Sequence, residues 1–171
     1  LAVAFNALGR HLDASILQEK VVALRRSLLG EKHPDTLVSL NNLAFAYSAQ
    51  RQYQKAIELE EKILGLRIEN LGENHPDTIN SMVNLADYYQ HQGRNWEALA
   101  LDQKAVNFQI ERLGENHPDT LIAMNNLASV YYQLGMLDKA VVLNEKTFVL
   151  RTKVLGEENP DTYKSMNNLA A

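Results

Sequence analysis

An eight-residue block returns every 42 residues along the chain: LGEKHPDT from Leu29, LGENHPDT from Leu71 and again from Leu113, and LGEENPDT from Leu155. A single fixed period of this size restricts the fold to a stack of like units. One such unit cannot bury its apolar face alone, so neighbours must complete the core. The rest of the unit repeats as strictly. Asn41-Asn42-Leu43-Ala44 aligns with Val83-Asn84-Leu85-Ala86, Asn125-Asn126-Leu127-Ala128 and Asn167-Asn168-Leu169-Ala170. Tyr47, Tyr89 and Tyr131 form another rank, as do Ala14, Ala56, Ala98 and Ala140, and Lys20, Lys62, Lys104 and Lys146. Leu1, Ala2 and Phe5 fall where Leu43, Ala44 and Tyr47 would. The expected organisation is one array over 1–171, read as a fragment of a longer one. It has a partial repeat at 1–28, whole repeats at 29–70, 71–112 and 113–154, and a partial repeat at 155–171.

Within a unit the apolar spacing is helical. Leu37, Leu40, Leu43, Ala44 and Tyr47 lie on one stripe, and Ala56, Leu59, Ile63 and Leu66 on a second. Between the stripes sits a break: Arg51-Gln52, then Gly93-Arg94 and Gly135-Met136 in the later units. Each unit is therefore a helix A, a short turn and a helix B. Helices are expected over residues 34–50, 53–70, 76–92, 95–112, 118–134 and 137–154, with a helix B near 11–28. No alternating β-branched run reads as a strand.

The recurring block reads as helix punctuation. Gly30, Gly72, Gly114 and Gly156 follow the last apolar turn of helix B and suit a positive φ. Pro34, Pro76, Pro118 and Pro160 suit the first turn of helix A, and the following Asp suits the positive end of its dipole. His33, His75 and His117 fall at the N-cap, where the fourth block has Asn159. That exchange points to capping, since Asn is a strong cap former and a poor substitute for a metal-binding imidazole. The three histidines are also a whole repeat apart, about 8–10 Å for each helix packed between them. One zinc ion needs its ligand nitrogens about 2.0–2.1 Å away. No cofactor and no metal site is expected.

Composition narrows the function. The formal charge is −4, so a broad nucleic-acid surface, which needs a basic excess, is disfavoured. Cysteine is absent, which excludes thiolate chemistry and fits a cytoplasmic location. No apolar run approaches the ~20 residues that span a bilayer, so no membrane partner is expected. No phosphate loop or nucleophile elbow appears, and the chain reads as non-enzymatic.

The pattern N-N-L-A-x-x-Y, then Gly, Ala and Lys, then L-G-x-x-H-P-D-T resembles the tetratricopeptide repeat, in the 42-residue form typified by kinesin light chains. The match covers essentially the whole chain. It implies an all-α fold, an α-α superhelix: a right-handed solenoid of antiparallel helix pairs in which helix A lines the concave face. It also implies a protein-interaction scaffold that holds a peptide or extended protein segment in the groove. Similar arrays serve as sensor arms of fungal or bacterial NB-ARC/STAND-type NTPases, which is the alternative parentage. A self-assembling structural array, with copies associating through their truncated ends, is a further alternative.

On this reading the groove is formed by the helix A residues that point away from the packed stripe. In the first whole unit these are Val38, Asn41, Phe45, Ser48 and Ala49; in the second, Asn80, Val83, Asp87, Gln90 and His91. The third contributes Ile122, Asn125, Ser129, Tyr132 and Gln133. This lining is amide-rich and nearly uncharged. Asn offers both donors and an acceptor and can pair with a peptide backbone of any sequence. Kinesin light chains that take acidic, tryptophan-containing cargo use basic groove residues, so that preference does not carry over to a lining with Asp87. Asn42, Asn84 and Asn126 are assigned to ties between repeats, Asn41 and Asn125 to the groove. The Lys rank is assigned to a solvated outer face, with Glu58 supporting Lys62 at i,i+4. Asn95 is expected to cap a helix B, with Trp96 partly packed at an edge.

Overall fold

The structure, a computed structural model, describes residues 11–170. The matching positions Leu1, Ala2 and Phe5 lie outside the described residues. Eight helices are described: α1 His11–Leu29, α2 Pro34–Ala49, α3 Tyr53–Leu71, α4 Pro76–His91, α5 Asn95–Leu113, α6 Pro118–Gln133, α7 Leu137–Leu155 and α8 Pro160–Ala170. No strand occurs among the described residues. The chain divides into two compact units, residues 1–92 with α1–α4 and residues 93–171 with α5–α8.

The recurring block sets the helix boundaries through local chemistry. His33, His75 and His117 have extended backbones, and each Nδ1 accepts a hydrogen bond from the amide of Asp35, Asp77 or Asp119 at 3.2, 3.1 and 3.2 Å. Asn159 Oδ1 does the same for the amide of Asp161 at 2.9 Å. The exchange of His for Asn therefore preserves one function, satisfaction of an orphan donor in the first turn. At the other end, Gly72 has φ 86° and ψ 164°, and its N–H donates to the carbonyl of Ile68. That region of backbone space is essentially closed to residues with a Cβ, so the glycine is required by conformation and not by crowding. The intervening Thr closes the linker: Thr78, Thr120 and Thr162 Oγ1 donate to the carbonyls of Gly72, Gly114 and Gly156 at 2.8–2.9 Å.

The short turn between helices A and B also has a fixed conformation. Gly93 and Gly135 have positive φ, and Arg51 holds the same position at φ 60°. Arg51 is the one non-glycine with positive φ among the described residues.

Packing follows the two stripes. In the first unit Leu37, Leu40 and Leu43 of α2 meet Val22 of α1 and Ile63 of α3, with Tyr47, Leu59 and Leu66 packed against them. Ala44 and Ala56 are fully buried. In the second unit Leu121, Met124, Leu127 and Ala128 of α6 are buried together with Ala105, Val106 and Ala140. Full burial of each large apolar side chain contributes about 1.5–3 kcal/mol.

Polar side chains add ties that repeat with the sequence. Arg67 Nη1 of α3 donates to the Asp77 carbonyl and to Ser81 Oγ, at the start of α4. Arg25 joins Asp35 and Ser39 in the same way, and Arg151 joins Asp161 and Ser165. The remaining copy breaks the rule at both partners together, with Gln109 for Arg and Ala123 for Ser. Gln109 is 6% exposed, and its Oε1 is sealed without a hydrogen-bond partner. Tyr47 and Tyr89 donate to Glu19 and Glu61, each 28 residues earlier, at 2.6 Å. Burial and the Glu19 carboxylate push the Tyr47 phenol up to about 12. Tyr131 instead accepts from Gln103 at 3.0 Å.

Three expectations need correction. Lys62 is exposed as expected, but its partner is Glu31 at 2.6 Å; Glu58 accepts from Gln54. Lys146 pairs with Glu115 in the same register, so these two members of the Lys rank tie helix B back to the linker before helix A. Asn95 is not the cap of α5: that position is Arg94, which makes no side-chain cap bond. Trp96 is 63% exposed and not partly packed. It stands one step past the Tyr53 and Leu137 positions, on the rank of Gln54 and Asp138, which faces solvent in the other units.

Candidate peptide-binding face

Helix A presents its unstriped side outward. On α2, Val38 is 48% and Phe45 57% exposed, while Asn41, Ser48 and Ala49 are half-buried. On α4, Asn80, Asp87 and His91 are exposed, and Val83 and Gln90 half-buried. On α6, Ile122, Ser129, Tyr132 and Gln133 are exposed, and Asn125 half-buried. The stripe rule thus finds most of the buried apolar side, although Thr36, Ser39 and Ala46 are buried off the stripe and Tyr47 on it is only half-buried.

Accessibility does not make these side chains equivalent. His91 stacks on the Tyr53 ring with centroids 4.9 Å apart, and its Nε2 lies 3.7 Å from Asp87 Oδ1. It is turned towards the start of α3. Asn41 Nδ2 donates to Glu60 Oε2 at 3.0 Å, so the amide assigned to ligand contact also holds a carboxylate beneath it.

Glu60 is fully buried. Desolvation raises its pKa, against the opposing pull of Ser81, Asn41, the Arg67 charge and Asn84. The Asn84 contribution agrees with a tie from α4 back to α3. Because the folded-state pKa lies above the unfolded value, this group stabilises the fold most below about pH 4.3. That contribution is lost as pH rises through the folded pKa. Gln18 and Asn144 hold the same rank elsewhere, so an amide fits the position. We expect Glu60→Gln to match the parent near pH 4. By pH 8 it should exceed it by on the order of 1 kcal/mol, or a melting shift of ~2–4 °C. Thermal melts across that range measure the difference, and a variant that loses ground as pH rises would contradict the assignment. Reading a difference removes the opposing background, since Glu31 beside Lys62 and Asp161 beside Lys164 are depressed and lose stability on acidification.

The second unit contains a cleft of about 290 Å³ on this face. Asn125, Ala128, Ser129 and Tyr132 of α6 line it, with Asn144 of α7 and Asn168 of α8. Asn168 Nδ2 donates to Asn125 Oδ1 at 2.9 Å. Tyr132 is 58% exposed at the rim. The cleft gathers three of the expected residues; Ile122 and Gln133 lie outside its lining. Asn144 and Asn168 were missed. Asn168 belongs to the Asn42 rank assigned to ties, and it does make one, yet it lines the same wall. Asn144 was hidden because it sits on helix B.

The comparisons with known proteins agree with this architecture. The family model for the tetratricopeptide repeat matches residues 1–69, 61–111 and 96–148. The chain belongs to the tetratricopeptide repeat family. A Podosopora anserina structure, assigned to the kinesin light chains and bearing nearly identical TPR-like repeats, is 34% identical. It aligns over 99% of this chain and 81% of that one with a TM-score of 0.89. BtubC (BKLC) from P. vanneervenii is 24% identical, with a TM-score of 0.86 over 99% of this chain and 67% of that one. The N-terminal domain of stress-induced protein-1 from C. elegans, at 19% identity and TM-score 0.56 over 80% and 96%, shares the fold alone. No curated protein gives a significant match. The fold class is thus a helix-pair solenoid of the kinesin-light-chain-like type. Among the described residues no helix is long and apolar enough to cross a membrane.

Proposed function

We propose that this chain is a non-enzymatic interaction scaffold that holds a short extended peptide along its helix A faces, in a cytoplasmic setting. The observation that carries the reading is the 290 Å³ cleft of the second unit, where three Asn side chains and an exposed Tyr converge. Asn amides offer donors and acceptors to a peptide backbone without demanding a particular sequence. Tyr132 supplies an amphipathic anchor of the kind that dominates recognition surfaces. Phe45 and Val38 offer apolar contacts in the first unit. The uncharged lining favours peptides read by shape and backbone over strongly acidic ones.

The test uses peptides selected on the chain from a displayed random library. Tyr132→Ala should weaken a selected peptide by about fivefold or more, the loss of roughly 1 kcal/mol of anchor contact. Its helical circular dichroism should not change, because Tyr132 is exposed. Asn125→Ala should also weaken binding. Selected peptides that bind both variants as tightly as the parent would remove the cleft from the site.

A further inference from the structure

The first unit contains a different cavity, at the linker edge of the helices and outside the cleft described above. It measures about 400 Å³ and lies between the start of α2, the end of α3 and the linker that follows. Its walls are of two kinds. Pro34, Leu37, Val38 and Leu71 are apolar, while Lys32, Arg67, Asn70 and His75 offer nitrogen, with Asp77 also in the lining. Arg67 is 5% exposed. Its Nη1 is committed to the Asp77 carbonyl and Ser81 Oγ. Its Nε and Nη2 donate to no described residue. This guanidinium, whose charge also acts on Glu60, lines an open cavity with donors left to offer an acceptor.

The corresponding positions of the second unit are a built-in contrast. There Lys32 becomes Asn116, Asn70 becomes Val154 and His75 becomes Asn159. The guanidinium of Arg151 is engaged further, with Nη2 donating to the Leu121 carbonyl at 3.2 Å. Lys32, Asn70 and His75 thus have no counterpart of the same kind at the corresponding positions of the second unit.

We propose that this cavity is a carboxylate-binding site for a ligand bearing a short branched aliphatic chain. The planar Arg67 fork matches a carboxylate, and Lys32 supplies a second positive charge. Leu37, Val38 and Leu71 receive the hydrocarbon. Lys32 is held only by an exposed ion pair to Glu69, which competes weakly. The Asp77 carboxylate disfavours a dianion and so sets the preference for a single charge. The site shares only Val38 with the peptide face.

Amide-resolved NMR titration at constant ionic strength tests the proposal. The probes are 4-methylpentanoate, 4-methylpentanamide, acetyl-Gly-Gly-Leu with a free carboxylate, and inorganic phosphate. The carboxylates should give saturable shifts at Lys32, Val38, Leu71 and His75, and the amide none. Lys32→Gln should weaken binding about fivefold and Lys32→Arg should retain it, as expected for loss of one partly exposed charge. Arg67→Gln should abolish binding; because Arg67 also ties α3 to α4, the exposed Lys32 variants decide the matter if that protein fails to fold. Equal affinity for the small acid and the peptide assigns the site to a free organic acid, whereas a peptide several-fold tighter assigns it to a chain terminus. Absence of saturation, an equal response to the amide, tighter binding of phosphate, or indifference to Lys32→Gln would each overturn it.

Discussion

Replacing Arg151 with alanine should lower the stability of the second unit by about 2–4 kcal/mol, among the largest effects of any polar substitution in this chain. Arg151 is 3% exposed and makes three hydrogen bonds, to the Asp161 carbonyl, Ser165 Oγ and the Leu121 carbonyl. Truncation strands those acceptors and removes the aliphatic stem from its packing. The chain itself holds a copy in which both partners are replaced, Gln109 with Ala123, at the cost of an unpaired Gln109 Oε1. Arg151→Gln combined with Ser165→Ala should cost less than the sum of the two single changes, because the Arg151–Ser165 bond is lost once and not twice. Conversely, Gln109→Arg with Ala123→Ser should restore the missing tie and slow exchange of the α6 amides. Native-state hydrogen exchange is the suitable measurement, since repeat arrays need not unfold in one step. A loss below about 0.5 kcal/mol for Arg151→Ala would show that these bonds are balanced by solvation.

Ile63→Ala should destabilise the first unit by about 2–5 kcal/mol, the range for opening a cavity in a packed core. Ile63 is fully buried in one cluster with Val22 of α1 and the Leu37, Leu40 and Leu43 stripe of α2. It thus joins successive helices, and no single helix can close around the void. Phe45→Ala is the matched control. The removed side chain is larger, yet at 57% exposure its loss should change stability by no more than about 0.5 kcal/mol. Urea unfolding of both proteins separates the two roles. A similar cost for both would mean that the stripe does not define the core.

The contrast between Ile63 and Phe45 shows how far the chain could be read before folding. Helix identity, the buried stripe and the accessible side all follow from apolar spacing, which acts within one or two turns. The linker was legible for the same reason: His33 and Asp35, or Gly72 and Ile68, are close in sequence, and their geometry is set by local backbone chemistry. The observed helix limits differ from expectation by a single residue at some ends, where one more or one fewer backbone bond forms. Trp96, a large apolar side chain expected to pack, is exposed because it stands on the solvent-facing rank of Gln54 and Asp138.

The period, the helix pair, the caps and the choice of inward face were determined by the sequence alone, because each depends on groups a few residues apart. What only the tertiary structure decided is the use made of polar side chains across helices. Arg67 and Ser81 are 14 residues apart, Tyr89 and Glu61 are 28, and Asn168 and Asn125 are 43. A charged or amide residue on a helix reads as solvated until a neighbouring helix covers it. Burial then converts Glu60 into a carboxyl held under Asn41, and Arg67 into the cationic wall of a cavity.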